Sequence, residues 1–166
     1  MVLPNNMGMY AEEIVNRTCD YCLNNNVNLY IEKRHLPIKI TRKINENTIL
    51  GKLLSKSTVD YFGSYKNIFF QFETKQTNNT YFSLSLFKEH QLKALEKFSK
   101  NNSVIFAIVY FEKNEKFYIL NASWILNQKM NKISLEKIQK ECEEINMIYP
   151  GILDIEFFKK YLEKVL

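Results

Sequence analysis

Apolar positions along the chain change period several times, and each change predicts an element. In residues 9–24 they fall at helical spacing, with Ala11, Ile14, Val15, Cys19, Cys22 and Leu23 on one face. The run Asn24-Asn25-Asn26 ends that helix. Residues 27–32 alternate apolar and polar, the period of a half-buried strand. Residues 68–72 and 104–111 are almost continuously apolar, as strands covered on both faces are. A turn at Asn114-Glu115 returns the chain as a second strand over 116–120. Residues 87–100 return to helical spacing through Phe87, Gln91, Leu92, Leu95 and Phe98, with Ser83 or Ser85 as a cap. Asn121 caps a short helix, Ser134 a helix over 135–145, and Asp154 a last amphipathic helix to Val165. Tyr149-Pro150-Gly151 makes a turn between them. The order helix, strand, excursion, two strands, helix, two strands, helices describes one α/β domain over residues 1–166.

The excursion is where composition changes the picture. The chain has 166 residues and a formal net charge of +5. Residues 33–56 hold seven Lys or Arg against the single acid Glu46, so this one segment could carry the whole excess. It also shows β-branched alternation on either side of Asn45-Glu46-Asn47, the pattern of a protruding hairpin, over about 34–56. Lys33, Arg34, Lys39, Arg42 and Lys43 are therefore candidate DNA contacts. The bland alternative is a solvated basic hairpin with no partner.

Other classes are excluded. No apolar run reaches membrane-spanning length, and the first residues have neither the charge nor the apolar stretch of a signal peptide, so the cytoplasm is the expected compartment. Three cysteines cannot build a disulfide scaffold. Cys19 and Cys22 match C-x-x-C but lack a second ligand pair for zinc, and they lie inside a helix, so they are expected to pack. No Gly-rich phosphate loop is present.

Candidate chemistry concentrates in residues 57–75. Thr58 and Asp60 would share one face of a strand, and Glu73 and Lys75 one face of the next, joined by a turn over 63–67. With those faces together, two carboxylates, a hydroxyl and an ammonium meet. Paired carboxylates repel, and a hard cation such as Mg²⁺ relieves the repulsion. A lysine beside the ion can hold charge that develops on a phosphate. For E-x-K alone an exposed ion pair is the better reading; the T-x-D one strand earlier shifts the balance. Gln91, a polar group on an inward helix face, could ligate a metal or cap a strand. His90 is open between a proton shuttle, a phosphate contact and a surface residue. Glu12 either complements its helix dipole or belongs to the site.

Ordered pieces of sequence extend this local reading. They are G-M-x-x-E at residues 8–12, K-x-x-x-P-I at 33–38, S-T-x-D-Y-x-G at 57–63, F-E-x-K-x-T at 72–77, E-H-Q at 89–91, and P-G with a following D and Y-L near the C-terminus. In that order they resemble the RecU family of Holliday junction resolvases, and more broadly nucleases of the restriction-endonuclease-like fold, a mixed β-sheet flanked by helices with a basic stalk. The resemblance implies a Mg²⁺-dependent homodimer that nicks two strands of a four-way DNA junction symmetrically in recombination and repair. It implies Thr58, Asp60, Glu73 and Gln91 as metal ligands, Lys75 as the group that stabilises the transition state, and Glu12 as a further acid. A link to recombination proteins is family analogy only. Met7 stands where the family has Arg, Gln71 and Gln76 where it often has acids, and the stalk is a few residues shorter. A related nuclease with another DNA substrate and a non-catalytic junction-binding protein are the alternatives.

Overall fold

The computed structural model describes residues 9–55, 59–101 and 103–165. Helix α1 (Met9–Asn24) leads to strand β1 (Tyr30–Lys33). The basic hairpin β2 (Ile38–Asn45) and β3 (Thr48–Leu53) follows, and then β4 (Tyr61–Tyr65) and β5 (Ile68–Thr77). A short β6 (Tyr81–Ser83) precedes α2 (Glu89–Lys100). Next come β7 (Val104–Phe111), β8 (Lys116–Asn121), α3 (Ala122–Leu126), β9 (Lys132–Ser134), α4 (Leu135–Glu141) and β10 (Glu143–Ile145). The hairpin β11 (Met147–Ile148) and β12 (Ile152–Leu153) leads into α5 (Ile155–Lys164).

One six-stranded sheet, ordered β1-β4-β5-β7-β8-β10, organises these elements. Only β5 and β7 pair in parallel, because α2 makes the crossover between them; the other neighbours are antiparallel. The sheet is mixed and flanked by helices, as expected. Alternate side chains of its central strands feed two cores. On one face Phe70, Phe72, Phe106 and Ile108 pack with α1 and α5; Phe72 stacks on Tyr61 at 4.9 Å and on Phe106 at 5.3 Å. On the other, Ile105, Ala107 and Val109 pack with Leu95 of α2, Ile125 of α3 and Ile138 of α4. All eight residues of β7 are buried, which explains its unbroken apolar run.

Three predicted caps are in place: Asn121 accepts from the Ser123 amide, Ser134 from that of Lys137 and Asp154 from that of Phe157. Other expectations need correction. Ser83 caps the short 3₁₀ turn Leu84–Leu86, not α2, which begins two residues beyond Phe87. The predicted helix over 135–145 ends at Glu141; Cys142 is extended and the chain enters β10, where Ile145 pairs with Phe117. Ile138 and Ile145 lie seven residues apart, a spacing that looks helical although the two sit in different elements. The predicted turn over 63–67 shrinks to Lys66-Asn67, with Lys66 at φ 52°. Gly63 and Ser64 stay in the strand. The first strand starts later than expected, at Tyr30.

Outside the sheet stands β2–β3, every residue of which is exposed. Its register pairs Ile38 with Leu53, Lys39 with Lys52 and Ile40 with Gly51. One face therefore carries Ile38, Ile40 and Leu53 and the other Lys39 and Lys52.

Candidate active site

The pocket is set by strand register. Tyr61 pairs with Phe72 across β4 and β5, and one more antiparallel step places Asp60 opposite Glu73. Glu73 also lies beside Ala107 of β7, so it points toward the face that α2 covers. Its exposure is 0%. Lys75, two residues on, shares that face and reaches back to Glu73, with Nζ 2.6 Å from Oε1. Gln91 enters from the first turn of α2 and is buried. Its Nε2 donates to the same Glu73 oxygen, while its Oε1 accepts from the Lys88 amide at 2.9 Å and from Lys75 Nζ at 3.1 Å. The Lys75 ammonium also lies 5.6 Å from the Phe87 ring centre.

Among the described residues, the Lys75 ammonium and the Gln91 amide both donate to Glu73 Oε1. Oε2 is buried with no hydrogen-bond partner among the described residues. A buried carboxylate oxygen left bare is costly. Burial accordingly pushes the Glu73 carboxyl up to about 8; the Lys75 ammonium opposes this, and the Asp60 carboxyl, near enough to contest the same proton, adds to it. The donor chemistry fits a hard divalent cation: two facing carboxylates, one with an unused oxygen, and a neutral amide beside them. Among the described residues no three His, Cys, Asp or Glu side chains are grouped so that they could hold a metal ion, so such an ion would need neutral oxygens to complete its shell. Gln91 presents its NH₂ to Glu73, and its oxygen can turn inward only by giving up the Lys88 amide. Thr58 lies outside the described residues.

The remaining candidates separate. Glu12 pairs with Lys33 at 2.7 Å, on the α1 side of the sheet. Lys33 also lies 5.8 Å from the Tyr61 ring. Lys39, Arg42 and Lys43 project into solvent from the hairpin. His90 is half-buried beside Gln91. Lys33 ends β1 and Arg34 follows it, so neither belongs to the hairpin, which spans Ile38 to Leu53. Arg34 turns to the sheet: its Nη2 donates to buried Gln71 at 2.8 Å, and its amide donates to the Asp60 carbonyl at 2.7 Å. That contact was missed in the sequence, where the only signal was a glutamine inside the apolar run Ile68-Phe69-Phe70-Gln71-Phe72. Gln76 was missed as well; its side-chain oxygen accepts from the Ala11 amide at the start of α1. The cysteines behave as packing groups, burial pushing Cys19 up to about 12 and Cys22 to about 11.

Fold and pocket together define a mixed α/β protein with a carboxylate–lysine–glutamine cluster on one sheet face and a basic hairpin beside it. Residues 6–161 match the family described as recombination protein U, RecU. A protein of Mycoplasmopsis pulmonis named Holliday junction resolvase RecU is 36% identical over 153 residues, covering 92% of this chain and 93% of its own. One of the same name from Ureaplasma parvum serovar 3 is 30% identical over 161 residues, covering 95% and 92%. The structure of Hjc, a Holliday junction resolvase of Archaeoglobus fulgidus, overlaps 80% of this chain and 93% of that one at 10% identity, with a TM-score of 0.48. The chain belongs to the RecU family.

Proposed function

We propose that this protein is a Mg²⁺-dependent endonuclease that resolves four-way DNA junctions in recombination and repair. Its RecU membership supports the substrate, and the Asp60–Glu73 pair, with one bare buried carboxylate oxygen, supports the chemistry. Asp60 and Glu73 would hold the ion, with Thr58 and Gln91 as neutral ligands. A bound Mg²⁺ supplies Lewis acidity at the phosphate and lowers the pKa of a coordinated water. The chain's own groups do the rest. To hold such an ion Glu73 would act as the carboxylate, its proton lost to solvent. Lys75 is then free to turn from the carboxylate to a phosphate oxygen that gains charge. The buried Phe87 ring flanks the Lys75 ammonium on one side of the cluster.

Two symmetric cuts need two sites, so the working form is a homodimer. The hairpin supports this reading, because an isolated two-stranded ribbon is marginal in water and this one exposes Ile38, Ile40 and Leu53 on one face. Its other face offers Lys39 and Lys52 to phosphates. We place the protein in the cytoplasm, with the DNA it acts on. The test is nicking of a synthetic four-way junction in Mg²⁺, against linear duplex and single strand. Mg²⁺-dependent cuts at symmetric positions on the junction are expected. Cleavage of duplex as fast as of junction points to another substrate, and binding without cleavage to a non-catalytic protein.

A further inference from the structure

Arg34 stands apart from the other basic residues. Lys33 is neutralised by Glu12, and Lys39, Arg42 and Lys43 are solvated on the hairpin. Arg34 is half-buried, and no carboxylate forms an ion pair with it among the described residues. Its one side-chain hydrogen bond described goes to a neutral amide, that of Gln71. Its Nε is buried without a partner among the described residues, and the guanidinium carbon lies 5.2 Å from the Phe62 ring centre. A guanidinium has five donors in a planar fork that matches a phosphate. Leaving that fork mostly unspent at a partly dry position costs stability, which an arriving anion would recover. The location is specific as well. Gln71 lies two residues before Glu73 on the same face of β5, and the Arg34 amide holds the Asp60 carbonyl. The fork therefore sits on the strand face that carries Glu73, beside the segment that brings in Asp60.

We propose that Arg34 is a phosphate clamp of the active site, gripping a DNA phosphate next to the one that is cut, and not a stalk contact. Gln71 holds the guanidinium in place without neutralising it, which an acid at that position would do. This rests on the nuclease reading above. The experiment is single-turnover cleavage, in Mg²⁺, of junctions that each carry one uncharged methylphosphonate within three nucleotides of the cut, with wild type and Arg34→Gln compared. On the normal junction Arg34→Gln is expected to be about tenfold slower or worse, with its melting temperature recorded beside it. At one position the methylphosphonate should slow wild type by a similar factor and Arg34→Gln no further, because the partner is already gone. Equal slowing of both proteins at every position overturns the clamp. If Arg34→Gln does not fold, Arg34→Lys, which keeps the charge and an aliphatic stem, takes its place under the same criterion with partial loss expected. If wild type cuts nothing, the nuclease reading has failed on its own. The same methylphosphonate series, read as junction binding, then decides on Arg34.

Discussion

A single oxygen, Glu73 Oε2, links stability to the proposed chemistry. The folded protein holds this carboxyl protonated up to about pH 8, whereas the unfolded chain ionises it near 4.5. The neutral form is thus favoured by folding, and the stabilisation it brings is fully present below about pH 4.5 and is lost as pH rises through about 8. Metal-free protein should lose melting temperature over that window, and added Mg²⁺ should restore most of it at pH 8. Glu73→Gln removes the buried charge while keeping an oxygen for Lys75 and Gln91. At pH 9 without metal it should be the more stable protein, by roughly 1–3 kcal/mol or a few degrees, and the fall with pH should flatten. The same variant should cut no junction and still bind one. A melting curve that falls as steeply in Glu73→Gln as in wild type would place the titrating group elsewhere. Asp60→Asn should also abolish cutting with binding kept.

At the level of elements, the strand β4 is the hinge between scaffold and site. Gly63 lies in its middle, where an added Cβ would stand 2.2 Å from the Tyr30 carbonyl oxygen and 2.5 Å from the Phe70 ring. The backbone of β1 cannot yield without losing its pairing, so Gly63→Ala should destabilise by about 2–4 kcal/mol, seen as an earlier urea midpoint. The hairpin should act on affinity alone. Neutralising Lys39, Arg42 and Lys43 to Gln should lower the slope of log affinity against log salt by about 2–3 and weaken junction binding, with the cutting rate at saturation nearly kept. An unchanged slope would remove the hairpin from the DNA interface. These elements also show what a sequence discloses. The alternation that puts Glu73 with Lys75 is local, and so is the apolar run that marks β5 as central. Asp60 opposite Glu73 needed only one guess, that consecutive strands pair. Arg34 on Gln71 could not be read, because the contact spans 37 residues and crosses from one side of the hairpin excursion to the other. The end of α4 was hidden for a different reason: Ile145 satisfies a helical period while it in fact answers to Phe117 on a neighbouring strand.

At the scale of the whole molecule, the described residues of one chain hold one cluster of this kind, and a junction must be cut twice to be resolved. The exposed Ile38, Ile40 and Leu53 suggest that the hairpin works against something, and sedimentation at micromolar concentration should give a dimer. A sharper consequence concerns the two cuts. Equal amounts of wild type and Glu73→Gln, exchanged before junction is added, should form wild-type, mixed and inactive dimers in about a 1:2:1 ratio by random pairing of protomers. Each mixed dimer has one working pocket, so it should nick one strand and stop. With dimers limiting and dissociation slow, about one quarter of the bound junction should be resolved and about half left with a single nick, which a denaturing and a native gel distinguish. If each cut came instead from an independent monomer, nicks on the two strands would be uncorrelated and the singly nicked species would be chased to product at the same rate as in wild type diluted twofold.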